Sequence, residues 1–234
     1  MLDFDRYTHL TFDCYGTLID WERGILAALQ PVLAGHGVAL TDDQVLELFG
    51  ELESAVEAGP YRRYREVLAT VLDGFGARLG FTPGAAEREA FGGSVVDWPA
   101  FPDSVEALRA LGRRYKLVIL SNVDDDLFAG SARRLGADFA DVITAQQVGS
   151  YKPNRRNFQV ALERLAVPSG QILHVAQSLF HDIVPAQEVG LTTVWVNRRH
   201  DRPGFGATPA ADARPDLEVP DLRTLADLTA RSAD

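Results

Sequence analysis

The chain has 234 residues, 46% of them hydrophobic and 24% charged, and a formal net charge of −10. That size and balance suit one large domain or two modest ones, and the acidic surplus argues against nucleic acid or an anionic membrane surface as partner. A single cysteine, Cys14, excludes an internal disulfide; no apolar run reaches the roughly 20 residues of a membrane span, and residues 1–6 carry no targeting pattern, so a cytoplasmic protein is expected.

Residues 9–13 open the pattern as a buried strand, rich in apolar and β-branched side chains. Residues 18–96 then hold helical periodicity and no convincing strand. The expected helices are 21–35, 42–57, 61–79 and a short one opening at Thr82, a cap, with Pro83 at its first position. From there strands and helices alternate: helix 104–115, strand 116–121, helix 125–135, a short strand 141–144, helix 154–165, strand 172–176, helix 181–189 and strand 192–196. Such alternation indicates parallel strands joined by right-handed crossovers, hence an α/β fold with a doubly wound parallel sheet. The helical block reads as an insertion, giving an α/β core of residues 1–17 and 97–234 and a helical domain of residues 18–96. The tail, with Pro203, Pro209, Pro215 and Pro220, is expected to be loop ending in one short helix, and 204–211 to be its least ordered part.

In a doubly wound sheet ligands sit beyond the carboxyl ends of the strands, near the point where strand order reverses. The polar residues that end these strands are therefore the candidates for chemistry. Asp13 closes the first, in Asp13-Cys14-Tyr15-Gly16-Thr17-Leu18. A carboxylate there serves as a turn cap or as a nucleophile. Ser121 and Asn122 close the second and offer a hydroxyl and an amide to a substrate anion. Lys152 is one of only two lysines, with Lys116, in a chain whose positive charge is otherwise arginine. A compact ammonium fits beside a carboxylate where arginine's fork would not, and a cation near Asp13 would hold it ionised. Gln177, Ser178 and Asp182 follow the strand at 172–176. Asp182 suits a helix N-terminus or acid–base work, whereas His174 and His181 read as a core and a helix-end histidine. Arg62, Arg63 and Arg65 in the insertion are candidates to reach over the cleft.

Taken together and in this order, the motifs resemble the haloacid dehalogenase superfamily, from Leu10 to Arg198. The resemblance implies Asp13 as nucleophile with Thr17 as its hydrogen-bonding companion. Leu120-Ser121-Asn122 is similar to the family's second motif, Lys152-Pro153 to the third, and Ala176 through Asp182 to the fourth. The insertion matches a helical cap, and family habit implies a homodimer.

Two positions separate the reactions of that superfamily. Its phosphatases carry a second Asp two residues after the nucleophile to protonate a leaving alkoxide; here Tyr15 stands there, and a halide leaves without a proton. Its magnesium-dependent members place an Asp where this chain has Gln177, which removes a hard oxygen ligand. Asp-x-Tyr-Gly-Thr is also how the 2-haloacid dehalogenase branch reads. The chain departs from that branch in the spacing of its fourth motif, and residues 47–53 offer no arginine for the halide. The expectation is a hydrolytic dehalogenase of short 2-haloalkanoic acids, small anionic substrates, working through an aspartyl ester without metal or other cofactor. Asp13, Thr17, Lys152 and Asp182 would be catalytic, with Cys14 and Tyr15 (through backbone amides), Ser121, Asn122, Gln177 and Ser178 around the substrate. The alternatives are a Mg²⁺-dependent phosphatase of a small phosphoester, with Asp13 and Asp182 as ligands, and a non-catalytic binding protein on the same fold.

Overall fold

The structure, a computed structural model, describes residues 2–231. Strand β1 (His9–Phe12) is buried along its whole length, as a strand covered on both faces must be. Four helices follow: α1 (Trp21–Gly35), α2 (Asp42–Glu57), α3 (Tyr64–Leu79) and α4 (Ala85–Gly93). Helix α5 (Ser104–Leu111) leads to β2 (Lys116–Ser121), α6 (Asp125–Leu135) and β3 (Asp141–Thr144). The short α7 (Ala145–Val148) and α8 (Arg155–Leu165) precede β4 (Ile172–Ala176). A π-helical turn, Leu179–Ile183, runs into α9 (Val184–Glu188), then β5 (Thr192–Val196), β6 (Leu217–Val219) and α10 (Leu222–Arg231).

The strands form one parallel sheet in the order β3-β2-β1-β4-β5-β6. From β1 the chain moves outward to β2 and β3, then returns across β1 to build the other half. Strands β1 and β4 pair from His9–Ile172 to Phe12–Val175, so strand order reverses between them and a crevice opens beyond their carboxyl ends. The expected α/β class with its inserted helical block is therefore present.

Four local expectations change, each for a reason outside the segment concerned. Helix α3 starts at Tyr64 rather than at 61, because the amides of Tyr64 and Arg65 donate to the Asp124 carboxylate at 3.0 and 3.1 Å. That distant carboxylate satisfies two of the donors a helix start leaves open. Helix α4 starts at Ala85 rather than at Thr82-Pro83, since Glu87 turns back to accept from the Gly84 amide at 2.6 Å. Strand β6 replaces part of the expected loop; three residues between prolines have no period of their own and are extended by pairing with β5. Finally, 204–211 is packed rather than loose. Ala207 is fully buried, and Gly50 makes room for it: a Cβ there would lie 2.6 Å from the Ala207 carbonyl oxygen.

Candidate active site

The turn after β1 delivers Asp13 to the crevice. Its amide donates to Val175 O of β4 at 3.1 Å, and the Leu18 amide closes the turn on Cys14 O at 2.8 Å. Gly16 sits at φ +94°, a left-handed conformation that glycine adopts without a Cβ clash. Thr17 donates its hydroxyl to Asp13 Oδ2 at 2.7 Å and accepts the Gln177 amide at 2.9 Å, tying the β1 turn to the β4 turn. Lys152 arrives from the loop before α8. Its Nζ, almost wholly buried, donates to Asp13 Oδ1 at 2.9 Å, to Leu120 O at 2.9 Å and to Asp182 Oδ1 at 2.6 Å. The side chains at 13, 17, 152 and 182 thus meet in one place, although up to 169 residues separate them.

Asp182 is further held by His174, whose Nε2 lies 3.1 Å from Asp182 Oδ1 while its Nδ1 lies 2.9 Å from Thr11 Oγ1. His174 is indeed a satisfied core residue. Burial pushes the Lys152 ammonium down, but Asp13 and Asp182 outweigh it and its pKa lies above the usual lysine range. For Asp182, burial raises the carboxyl, and Lys152 with His174 outweigh that and hold it low. For Asp13 burial wins: its carboxyl is raised against the pull of Lys152, with Asp182 adding to the rise. A cation alone therefore does not describe Asp13. Its desolvation makes it a more basic carboxylate, and thereby a stronger nucleophile when ionised.

Above Asp13 lies a chamber of about 30 Å³, room for very few water-sized groups. Tyr15, Gln177, Ser178, His181 and Asp182 belong to its wall. Tyr15 directs its hydroxyl to Ser131 Oγ at 2.9 Å, and burial raises its pKa far above the ordinary phenol value. Burial also lowers His181 to about 4, so its ring is neutral. The Cys14 side chain is buried in the core, as its expected role through the backbone amide allows; the Ser121 side chain, expected near the substrate, is buried outside the chamber lining, and its Oγ has no hydrogen-bond partner among the described residues. Asn122 lines the chamber, but its amide is already engaged. Its Oδ1 accepts the Lys152 amide at 2.7 Å, and its Nδ2 donates to Lys152 O at 3.0 Å and Glu57 Oε2 at 3.1 Å. It holds the lysine loop in place.

The other wall brings Trp21, Glu53, Glu57 and Tyr64. Glu53 accepts from the Tyr64 hydroxyl at 2.5 Å. Burial raises Glu53 to about 7, and raises Glu57 well above the ordinary carboxyl value with Glu53 adding to the shift. No arginine lines the chamber among the described residues. Of the expected candidates, Arg65 pairs with Asp126 at 2.7 Å outside it, and Arg62 contributes a carbonyl to the Tyr151 hydroxyl at 2.7 Å. Sequence reasoning passed over Glu53 and Glu57, though a signal existed. The buried stripe of α2 runs through Val45, Leu46, Phe49 and Glu53 at helical spacing, and Glu57 follows one turn on. An acid in phase with the apolar face is the informative exception.

The donors do not suit a divalent cation between Asp13 and Asp182. Lys152 Nζ already bridges their Oδ1 atoms, and neutral Gln177 stands where another acid would complete the site, its Oε1 3.4 Å from Thr208 Oγ1. Among the described residues no three His, Cys, Asp or Glu side chains gather to hold a metal.

The family model for haloacid dehalogenase-like hydrolases matches residues 7–190. The chain belongs to this haloacid dehalogenase-like hydrolase family. It is 27% identical over 231 residues to the (S)-2-haloacid dehalogenase of Pseudomonas sp. (strain YL), an alignment covering 96% of this chain and 95% of that protein. It is 28% identical over 239 residues to the 5-amino-6-(5-phospho-D-ribitylamino)uracil phosphatase YigB of Escherichia coli (strain K12), covering 95% and 96%. In fold, this hydrolase matches the L-2-haloacid dehalogenase from Xanthobacter autotrophicus with chloropropionic acid covalently bound, with a TM-score of 0.80 over 96% of this chain and 98% of that one at 20% identity. No helix among the described residues is long and apolar enough to cross a membrane.

Proposed function

We propose that this hydrolase removes halogen from short 2-haloalkanoic acids by way of an ester on Asp13. One observation carries the reading. The nucleophile position is fully built, with one carboxylate oxygen on Lys152 and the other on Thr17, while neither position that would serve phosphoryl transfer holds an acid. Tyr15 is turned onto Ser131, and Gln177 is neutral. The small chamber favours a substrate of few atoms, and a curated relative along most of the chain is named a haloacid dehalogenase.

In the first step the free lobe of Asp13 attacks the α-carbon in line with the carbon–halogen bond. Halide departs and the carbon is inverted. Backbone amides at Cys14 and Tyr15 hold the substrate carboxylate. In the second step water attacks the ester carbonyl and releases the hydroxy acid. Asp182 Oδ2, buried and without a hydrogen-bond partner among the described residues, is the acceptor that orients this water, with Ser178 and Gln177 beside it. The helices of residues 18–96 act as the cap that closes the site and excludes bulk solvent, which strengthens each of these interactions.

The test is halide release from chloro-, bromo- and fluoroacetate and 2-chloropropionate, with and without Mg²⁺. Release without metal is expected, and Asp13→Asn should abolish it. The phosphatase reading draws support from the YigB likeness. Hydrolysis of p-nitrophenyl phosphate that requires Mg²⁺, with no halide freed from any substrate, would replace dehalogenation by that reading.

A further inference from the structure

The chamber holds four carboxyl groups, on Asp13, Glu53, Glu57 and Asp182, against one ammonium. Lys152 is committed to Asp13 and Asp182, and neither glutamate forms an ion pair among the described residues. Neither the attack by Asp13 nor the hydrolysis of its ester uses the glutamates. They cost the fold one buried and one half-buried acid in a place where apolar side chains would serve.

We propose that Glu57 is the acid that donates a hydrogen bond to the leaving halide as Asp13 displaces it. This rests on Asp13 being the nucleophile of a displacement, as proposed above.

The direction of attack supports it. Lys152 and Thr17 hold Asp13 from the core side, so its free lobe faces the chamber. In-line displacement drives the leaving atom away from the attacking oxygen, towards the wall contributed by the inserted helices. Glu57 lies in that wall, where Asn122 Nδ2 positions its Oε2 at 3.1 Å and its Oε1 takes no hydrogen bond from a described residue. One carboxyl oxygen is thus anchored and the other is available to carry a proton into the chamber.

The carboxyl also has physical reason to be protonated. It is half-buried, one helical turn from Glu53, in a narrow space shared with two further carboxylates. Like charges so placed do not all ionise, and burial together with Glu53 raises Glu57 well above the ordinary carboxyl value. The other candidate donors on the wall are unsuited: Tyr15 spends its hydroxyl on Ser131, His181 is neutral, and Glu53 is already bonded to Tyr64.

The atoms balance. Asp13 Oδ forms a bond to carbon, and the carbon–halogen bond breaks with its electron pair going to the halogen, which departs as halide hydrogen-bonded to the Glu57 carboxyl. Asp13 is now an ester, and Glu57 keeps its proton because a halide is a weaker base than a carboxylate. Water then cleaves the ester, giving the hydroxy acid, ionised Asp13 and one proton released to solvent. The sum is haloacid plus water to hydroxy acid plus halide and a proton. Bromide leaves well without this help; fluoride, a much poorer leaving group, needs it. The inference therefore extends the substrate class to carbon–fluorine bonds.

The experiment compares bromide release from bromoacetate with fluoride release from fluoroacetate, for wild type, Glu57→Gln and Glu57→Asp. Wild type should free both ions. Glu57→Gln keeps the anchor to Asn122 but offers only an amide N–H, a far weaker acid than a carboxyl, and its fluoride rate should fall on the order of 10²-fold further than its bromide rate, within the range for a lost acid. Glu57→Asp, still an acid, should recover part of that ratio, which keeps the test alive should the glutamine variant misfold. Equal losses of both ions, or a wild type that frees bromide and no fluoride, would overturn the role of Glu57 and leave the Asp13 reading standing. If wild type frees neither ion, the displacement itself is wrong and the role of Glu57 falls with it.

Discussion

Replacing Lys152 by methionine removes an ammonium and keeps most of its length. In the folded protein Nζ donates to Asp13 Oδ1 and Leu120 O, each at 2.9 Å, and to Asp182 Oδ1 at 2.6 Å. Asp13 Oδ1 and Leu120 O lose this donor, Asp182 Oδ1 keeps only His174, and the two buried carboxylates lose the ammonium they share. Breaking a buried pair from one side typically costs about 3–5 kcal/mol, and with two carboxylates stranded the upper end, about 5 kcal/mol, is expected. The pH dependence follows from the directions of the shifts. Lys152 is raised, so its contribution is full below the ordinary lysine value of 10.5 and fades as pH rises through the raised one. Asp182 is depressed, so its contribution is full above 3.8 and fades as pH falls through the depressed value. Wild type therefore keeps the pair intact from about pH 5 to about pH 9. In the variant the stranded carboxylates bind protons more readily, so the deficit should shrink as pH falls. Urea unfolding at about pH 8 and about pH 5.5 measures it, and at about 2–4 °C per kcal/mol for a chain of this size the melting temperature should drop by about 10–20 °C at the higher pH. A deficit below about 1 kcal/mol at pH 8, or one that grows on acidification, would refute the claim that this ammonium lets two carboxylates share the crevice.

Two further outcomes test the surroundings of the site. In Gly16→Ala the new Cβ would stand at φ +94°, 2.9 Å from Gln177 Oε1 and 3.0 Å from Trp21 Nε1. Because the indole is fixed in the core, a loss of about 1–3 kcal/mol in chemical denaturation is expected, and a loss within about 0.5 kcal/mol would mean the turn is slack. His181 is lowered by burial from 6.5 to about 4, so the folded state resists a proton that the unfolded chain accepts; the stability it supports is present above 6.5 and lost as pH falls towards 4. Glu53, raised to about 7, slopes the other way over much of this range, so the comparison is wild type against His181→Gln at each pH. Their stability difference should move against wild type by about 3 kcal/mol between pH 7 and pH 4, and a flat difference would show that His181 is not held neutral.

The sequence alone carried the order and kind of nearly every element, because strands buried on both faces and amphipathic helices announce themselves by composition and period. It also carried the four residues that meet at the centre of the site: Asp13 and Asp182 follow strands whose carboxyl ends must share one crevice, Thr17 belongs to the turn after the first, and Lys152 stood out in a chain that spends arginine elsewhere. What it lacked were contacts whose partners lie far along the chain. Asp124 sets the start of α3 from 60 residues away, and β5 draws Leu217–Val219 into the sheet. Asn122, readable as a substrate donor, is consumed by the Lys152 loop and Glu57. Above all, only the tertiary structure carried Glu53 and Glu57 into the chamber of Asp13, because a helical face has a period that sequence reveals, whereas the neighbour it turns towards is decided by how helix and sheet pack.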